Sequence, residues 1–173
     1  EGTIRESFSK GTITGYDYTG GLVGSNNDEI ISCYSTCTVN GDDQVGGLVG
    51  GNSGPISYSF AVGKVNGNSK TGGLVGSNVS GTVTGCYWDT ETSGKSTSAG
   101  GTGKSTTKMK EQATYEGWNF DTVWGINGSD NNGYPFLRWQ VPADAPTVPG
   151  VPQNFTATPG DGQVALSWTA PDS

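Results

Sequence analysis

The segment Gly-Gly-Leu-Val-Gly occurs three times in this chain, and the copies are evenly spaced. They begin at Gly20, Gly46 and Gly72, so both intervals are 26 residues (46 − 20 and 72 − 46). A fixed period of this length is typical of proteins in which one supersecondary unit stacks on the next. The spacing therefore predicts a stack of similar units whose function lies on its surface.

The composition favours ordered β-structure over helices or disorder. The 173 residues include 30 glycines, and only 31% are hydrophobic, with few of the residues that favour helices. Disordered segments lack aromatic and β-branched residues at fixed intervals, whereas this chain has both. The net charge of −7, without histidine or a cluster of lysine and arginine, argues against a nucleic-acid partner. Because the sequence shows no apolar run long enough to span a membrane, we expect no membrane insertion in this segment.

Superposing the copies places similar side chains in the same column of the stack. The aliphatic column contains Ile4, Ile30, Ile56 and Val83, and the aromatic column contains Phe8, Tyr34, Phe60 and Tyr87. The column of small residues contains Ser7, Cys33, Ser59 and Cys86, and the amide column contains Asn26, Asn52 and Asn78. Such columns build a continuous core, and stacked asparagine amides can hydrogen-bond along the axis. The short β-branched and aromatic segments end at Gly, Asn or Asp, which indicates strands joined by tight turns. The pattern predicts an all-β fold: a parallel β-solenoid of about four coils, each with two or three short strands.

Glycines also recur at fixed positions in each copy. They are Gly15, Gly41 and Gly67, and Gly24, Gly50 and Gly76. We expect each of them to need a positive φ or to lie where a side chain would collide with the next coil.

The three cysteines predict no disulfide. Cys33 and Cys37 lie four residues apart, roughly 13 Å along a strand, and Cys33 and Cys86 share a column two coils apart, about 9 to 10 Å. Both separations are too long for a disulfide bond. Metal binding by the thiols lacks a fourth ligand and any histidine.

Three motifs occur together in residues 1 to 95. They are Gly-Gly-Leu-Val-Gly-x-Asn, a Cys-Tyr or Ser-Phe step, and the ending Cys86-Tyr87-Trp88-Asp89-Thr90. This combination resembles the GLUG repeat, which occurs in secreted and surface proteins of bacteria, including relatives of immunoglobulin A proteases and filamentous adhesins. The resemblance implies a stalk or adhesin region at an extracellular or cell-surface location, and it supplies no catalytic residue.

The chain changes character after the repeats. Residues 96 to 140 begin with a loop and a short helix after Ser105 or Thr106, followed by a dense aromatic segment: Trp118, Phe120, Trp124, Tyr134, Phe136, Leu137 and Trp139. Repeat arrays need a cap over their last unit, so this segment is predicted to cover the open end of the solenoid. The stretch from Gly117 to Trp139 also looks like the segment that often closes GLUG arrays.

Residues 141 to 151 are rich in proline and indicate a stiff linker. The following residues, 152 to 173, resemble the start of a fibronectin type III domain, with Gln163 to Trp168 as its second strand. Such a domain has about seven strands, so this piece would be an incomplete sandwich.

Several side chains are candidates for binding. Exposed tryptophans could stack on sugars as in carbohydrate-binding modules, and the candidates are Trp88, Trp118, Trp124 and Trp139; core packing is the competing interpretation. Asp17, Asp43 and Asp130 are calcium candidates in short turns, although a solvated carboxylate is the simpler explanation. Asp17 and Asp43 could also act as paired carboxylates, because parallel β-helices include enzymes that cleave polysaccharides.

These observations lead to one preferred function and two alternatives. We expect a non-catalytic spacer or adhesive region of an extracellular multidomain protein that begins partway through a repeat. Its partners would be other domains of the same protein, a protein or glycan on a host or neighbouring cell, or another copy joined through the solenoid ends. A carbohydrate-binding module is the first alternative, and a polysaccharide-cleaving enzyme is the second.

Overall fold

The computed structural model describes residues 2–141, 153–160 and 163–169. The chain divides into two compact units, Glu1–Gln140 and Val141–Ser173. The predicted proline-rich linker, apart from Val141, lies outside the described residues.

The first unit is a parallel β-solenoid with five short strands in each coil. The first coil contains β1 (Thr3–Arg5), β2 (Phe8–Ser9), β3 (Thr12–Thr14), β4 (Thr19–Gly20) and β5 (Val23–Asn26). The second contains β6 (Glu29–Ile31), β7 (Tyr34–Ser35), β8 (Thr38–Asn40), β9 (Asp43–Gly46) and β10 (Val49–Asn52). The third contains β11 (Ile56–Ser57), β12 (Phe60–Ala61), β13 (Val65–Asn66), β14 (Ser69–Gly72) and β15 (Val75–Asn78), and β16 (Val83–Thr84) and β17 (Tyr87–Asp89) follow.

Each strand pairs with its equivalent in the next coil, as the repeat predicts. Ile30 lies between Ile4 and Ile56, and Val49 lies between Val23 and Val75, so neighbours in a sheet are 26 residues apart. About three coils are formed, and β16 and β17 add a fourth rung to two of the sheets. The predicted fold class is thus confirmed. The expected number of strands in each coil, two or three, was too low, because each coil has five.

Each coil has two left-handed corners. One corner residue follows the first strand of each coil, and the other lies just before the fourth strand in the first coil and is the second residue of that strand in the next two coils. The φ angles at Glu6, Ser32, Tyr58 and Gly85 are 43°, 53°, 49° and 58°, and those at Tyr18, Gln44 and Lys70 are 51°, 55° and 43°. A left-handed residue turns the chain sharply, so the first strand of each coil ends there, whereas β9 and β14 continue through Gln44 and Lys70. Most of these residues are not glycine, so the sequence did not reveal the corners.

The column of small residues has a specific role at the first of these corners. Each member donates a hydrogen bond to the carbonyl two residues earlier and so bridges the left-handed residue. Ser7 and Ser59 do so at 2.7 and 2.8 Å, and Cys33 and Cys86 do so at 3.3 Å. A small donor is therefore required at this position.

The recurring glycines are explained by close contact and not by backbone conformation. None of the six glycines has a positive φ, so of the two predicted reasons it is collision with neighbouring atoms that applies. A Cβ atom at Gly50 would lie 2.6 Å from the carbonyl oxygen of Gly24 and 2.7 Å from the nitrogen of Thr19. At Gly50 and Gly76 the backbones of neighbouring coils therefore approach too closely for a side chain, whereas at Gly15 and Gly24 the atoms in the way belong to Thr19 and Tyr18 of the same coil.

The asparagine column forms a hydrogen-bonded ladder along the solenoid. The Asn26 amide donates to Asn52 at 2.8 Å, and the Asn52 amide donates to Asn78 at 3.0 Å and to the carbonyl of Gly54 at 2.9 Å. Asn52 is 1% exposed, so these bonds satisfy a buried amide. The predicted ladder is present.

The outer face of one sheet carries the aromatic column. Phe60 and Ala61 are successive residues of β12 and therefore point to opposite faces. Ala61 packs in the solenoid interior, whereas Phe60 packs with a second cluster that contains Trp118 and Trp124. The rings of Phe8, Tyr34 and Phe60 stack at 5.2 and 5.0 Å along this outer face.

The C-terminal segment of the first unit covers this aromatic face. Its elements are α1 (Thr90–Ser93), β18 (Thr102–Lys104), α2 (Thr106–Met109), β19 (Trp124–Gly125) and β20 (Phe136–Leu137), with 3-10 helices at Gln112–Thr114, Asp130–Gly133 and Arg138–Gln140. Trp124 lies 5.8 Å from Phe60 and 6.2 Å from Tyr34 between ring centroids. The prediction that the aromatic residues cover the open end was therefore wrong, because the aromatic column faces outward and must itself be covered.

A polar loop covers the end of the solenoid instead. The nitrogen of Gly73 donates to the carbonyl of Thr97, and the nitrogen of Ala99 donates to that of Val75, both at 3.0 Å. Strand β18 then pairs with β17. The predicted loop thus supplies partners for the backbone groups of the last coil.

In the second unit, β21 (Gln153–Gly160) and β22 (Gln163–Thr169) form an antiparallel hairpin. Two strands occur where the resemblance to a fibronectin type III domain implies them. The resemblance itself stays a prediction.

We expect the Asn52→Ala substitution to destabilise the solenoid by about 1 to 3 kcal/mol, because it leaves the Asn26 amide and the Gly54 carbonyl without their partner. Asn66→Ala is the matched control, since Asn66 makes a similar amide bond to Asn40 at an exposed position. Urea unfolding of both variants measures the difference. Equal losses of unfolding free energy would show that the buried ladder contributes no more to stability than the exposed Asn66–Asn40 bond.

Candidate functional site

The tryptophan candidates have different environments. Trp88, Trp118 and Trp124 are buried, with exposed fractions of 5%, 7% and 0%, whereas Trp139 is 56% exposed. A stacking platform needs a ring face in contact with solvent. The three buried residues are therefore unsuitable for stacking on a sugar. Of the four candidates, Trp139 alone has a ring exposed enough to do so.

The buried tryptophans hold parts of the fold together. The Trp88 ring lies over Gly73, where a Cβ atom would come within 2.0 Å of it, and its nitrogen donates to the Lys95 carbonyl at 3.0 Å. Trp118 donates to the Gly85 carbonyl at 2.8 Å. Core packing, the competing interpretation, accounts for these residues.

Trp139 packs against the first coil, at the end of the aromatic face that lies farthest from Trp118. Its nitrogen donates to the Glu6 carbonyl at 3.2 Å, and its ring lies 6.0 Å from that of Phe8. The C-terminal segment that covers the aromatic face therefore contacts the solenoid at both ends of that face. Trp118 contacts Gly85 near the last strands, and Trp139 contacts the first coil.

The calcium candidates lie on two separate elements. Asp17 and Asp43 occupy the same column at the second left-handed corner, and Asp130 begins a 3-10 helix of the covering segment. Within the described residues, no group of three or more His, Cys, Asp or Glu side chains could hold a metal ion. The Asp130 carboxylate accepts a hydrogen bond from Asn127 at 2.7 Å. Calcium binding stays a prediction that this geometry does not favour.

Asp43 is held in its ionised form by its neighbours. A hydrogen bond from Ser69, followed by the nearby Lys70, lowers the pKa of its carboxyl group. The Lys70 ammonium lies 3.4 Å from the carboxylate, and Gln44 donates to the same oxygen at 3.3 Å. The general acid of a glycosidase needs a raised pKa, so Asp43 is poorly suited to that role.

The second corner forms a surface of its own, which we call the corner surface. It comprises residues 16–18, 42–44 and 68–70, three from each coil. Asn68 donates to the Asp42 carboxylate at 2.6 Å, so side chains of neighbouring coils bind each other here as well. Tyr16 is 86% exposed and Tyr18 is 49% exposed. The sequence pattern pointed to the aspartates of this surface but not to its tyrosines.

Asp89 is a buried carboxylate whose structural role the sequence did not reveal. It is 0% exposed, and one oxygen accepts hydrogen bonds from the nitrogens of Glu91 and Thr92 at 2.9 and 3.0 Å, which caps α1. The other oxygen accepts bonds from the hydroxyl groups of Thr106 at 2.7 Å and Tyr134 at 2.8 Å. Asp89 thus fastens the covering segment to the last strand of the repeats. Burial, followed by the hydrogen bond that the Tyr134 hydroxyl donates to Asp89 and the charge of Asp89, raises the pKa of that phenol to about 12.

All three cysteines are buried free thiols. Burial raises the pKa of Cys33 to about 11 and that of Cys86 to about 12. Since the thiolate is the reactive form, these side chains are suited to packing and not to nucleophilic chemistry.

Replacing Asp89 with alanine should destabilise the first unit by roughly 2 to 4 kcal/mol, because two backbone nitrogens and two hydroxyl groups lose their acceptor. Tyr134→Phe removes one of these bonds and should cost about 1 kcal/mol. Tryptophan fluorescence during urea unfolding measures both effects. A smaller loss for Asp89→Ala than for Tyr134→Phe would contradict the central role of the carboxylate.

The stability of the first unit should decrease above pH 9. The folded-state pKa values of Cys33 and Cys86 lie above their ordinary value of 9.0, so the stability that the neutral thiols provide is complete below pH 9 and is lost as the pH rises towards 11 to 12. At pH 10 the loss is about 1 kcal/mol for each thiol. The double variant Cys33→Ser, Cys86→Ser should show a smaller decrease between pH 8.5 and 10, as measured by urea unfolding at each pH; a residual decrease is expected, because four tyrosines with raised pKa values also titrate there: Tyr34, Tyr87, Tyr115 and Tyr134. An identical pH profile for both proteins would refute the explanation.

Comparisons with known proteins give one local similarity. Over 53 residues, the chain is 45% identical to a protein of Evansella cellulosilytica that is named "Putative Gly-rich membrane protein". The similar region is 30% of this chain and only 6% of that protein. No family of known proteins and no solved structure matches the chain. Among the residues that the structure describes, we find no helix with the length and apolar character needed to cross a membrane.

Proposed function

We propose that this chain is a non-catalytic spacer and adhesive region of a bacterial extracellular multidomain protein. The observation that carries the proposal is the regular bonding from coil to coil. Strand pairing, stacked rings and amide ladders all follow the same axis. A stack of this kind extends by about 4.8 Å for each coil, which is the spacing of paired strands.

The extracellular or cell-surface location rests on weaker support. The resemblance to GLUG repeats implies it, and the similar protein of Evansella cellulosilytica has a name that refers to a membrane. The chain spans only a small part of that protein, so the activity and partners of the longer protein do not transfer directly.

The alternatives have less support from the site geometry. A carbohydrate-binding module that uses the four tryptophans would keep Trp139 as its exposed ring. Polysaccharide cleavage would need a carboxyl group with a raised pKa, and the pKa of Asp43 is lowered. We therefore propose neither alternative as the main function.

The first coil offers a way to test the spacer. Ile4, Phe8 and Ile13 are 36%, 39% and 37% exposed, although their equivalents in the second coil are buried. A further coil stacked on the first would cover them. Residues 29–54 are suited to this purpose, because residue 29 lies in the same column as residue 3.

Inserting one or two copies of residues 29–54 directly before Thr3 should lengthen the folded chain by about 4.8 Å for each copy, as measured by small-angle X-ray scattering. On a cell surface, with an epitope placed after Ser173, each copy should also increase binding of a bulky antibody. An insertion of residues 29–41 is the control, because half a coil breaks the register. Unchanged length or unchanged antibody access with whole coils would refute the spacer role.

A further inference from the structure

We infer that the corner surface binds a neutral oligosaccharide through Tyr18 and Tyr16. This inference rests on the proposed adhesive role and names the chemical class of its ligand. It concerns tyrosines of the repeat and is independent of the tryptophans considered above.

The Tyr18 ring is held in place by the next coil. A Cβ atom at Gly51 would lie 2.7 and 3.0 Å from Cδ1 and Cε1 of the ring, and 3.5 Å from the side-chain oxygen of Gln44. The residues that pair with Gly51 in the neighbouring coils are Ser25 and Ser77, so the glycine lies where the ring needs the space. One side of the ring packs on this backbone, and Tyr18 remains 49% exposed, whereas Gln44, its equivalent in the second coil, is 9% exposed. A ring fixed in this way can stack on a ligand without losing further conformational entropy.

The exposure of Tyr16 does not depend on its place in the first coil. Its equivalents in the other two coils, Asp42 and Asn68, are exposed as well. The backbone beneath it is bonded to the next coil, because the nitrogen of Asp42 donates to the Tyr16 carbonyl at 2.8 Å. This column therefore faces solvent in each of the three coils.

The polar groups around the rings match the chemistry of a neutral sugar. A pyranose presents C–H groups on its faces and hydroxyl groups on its rim, so it combines stacking on an aromatic ring with hydrogen bonds to carboxylates and amides. Asp17 lies between the two tyrosines in the sequence, and the exposed Asp42 lies one coil further along, where its nitrogen bonds to the Tyr16 carbonyl. The corner surface carries three carboxylates, those of Asp17, Asp42 and Asp43, and one ammonium group, that of Lys70. This excess of negative charge disfavours sulfated or carboxylated glycans.

The test uses the whole 173-residue chain on an array of neutral and anionic oligosaccharides, followed by calorimetry with each ligand found. Tyr18→Ala should weaken binding of a neutral oligosaccharide about tenfold, and the double variant Tyr16→Ala, Tyr18→Ala should abolish it. Gly51→Ala keeps both tyrosines but displaces the Tyr18 ring, so it should also weaken binding. Trp139→Ala removes an exposed ring on another face and should have no effect. Thermal unfolding establishes that each variant is folded.

Four results would overturn the inference: no binding of any neutral oligosaccharide, full binding by the folded double variant, loss of binding in Trp139→Ala alone, or binding restricted to anionic glycans. Capture of a protein through the same tyrosines, without any glycan, would overturn it as well. The length and antibody-access measurements on chains with added coils need no glycan. A negative result in the glycan-binding test therefore leaves the spacer proposal intact. A negative result in the length and antibody-access measurements does not count against glycan binding.

Discussion

Parallel pairing between equivalent strands of successive coils is the constraint on which the rest of this structure depends. Because Ile30 pairs with both Ile4 and Ile56, the aliphatic, aromatic and asparagine columns of the sequence become stacks of like side chains in space. The register tolerates one exception. Val83 pairs with Ile56 across 27 residues, and the extra residue lies in the loop where Asn78 donates to the Gly81 carbonyl. Insertions are thus accepted at loops, while the strands keep their partners.

The same pairing creates the need for the covering segment. A sheet whose outer face presents stacked aromatic rings cannot leave that face in water without a large hydrophobic cost. The segment after the repeats supplies Trp118 and Trp124 for this face, and Asp89 fastens it by accepting bonds from Thr106 and Tyr134. The repeats and the covering segment therefore form one cooperative unit.

Much of this arrangement follows from the sequence, and the parts that do not have clear reasons. The period, the columns, the parallel strands and the Asn52 ladder could all be predicted, because like residues recur at one interval. The direction of the aromatic column could not be predicted, since strands of two residues are too short to show which face is apolar. The left-handed corners were missed because Glu6 and Tyr18 are residue types that rarely adopt a positive φ. The role of Asp89 depends on Tyr134, a contact across 45 residues.

The second corner shows how such a fold can vary its surface without losing its stability. Tyr18, Gln44 and Lys70 share a left-handed φ but not size, charge or polarity. The side chain therefore does not impose the conformation. A backbone bond does so at the first rung, where the nitrogen of Tyr18 donates to the Asp43 carbonyl at 3.0 Å. Because the backbone holds the corner, its side chains are free to differ from coil to coil, and recognition can change there while the core columns stay constant.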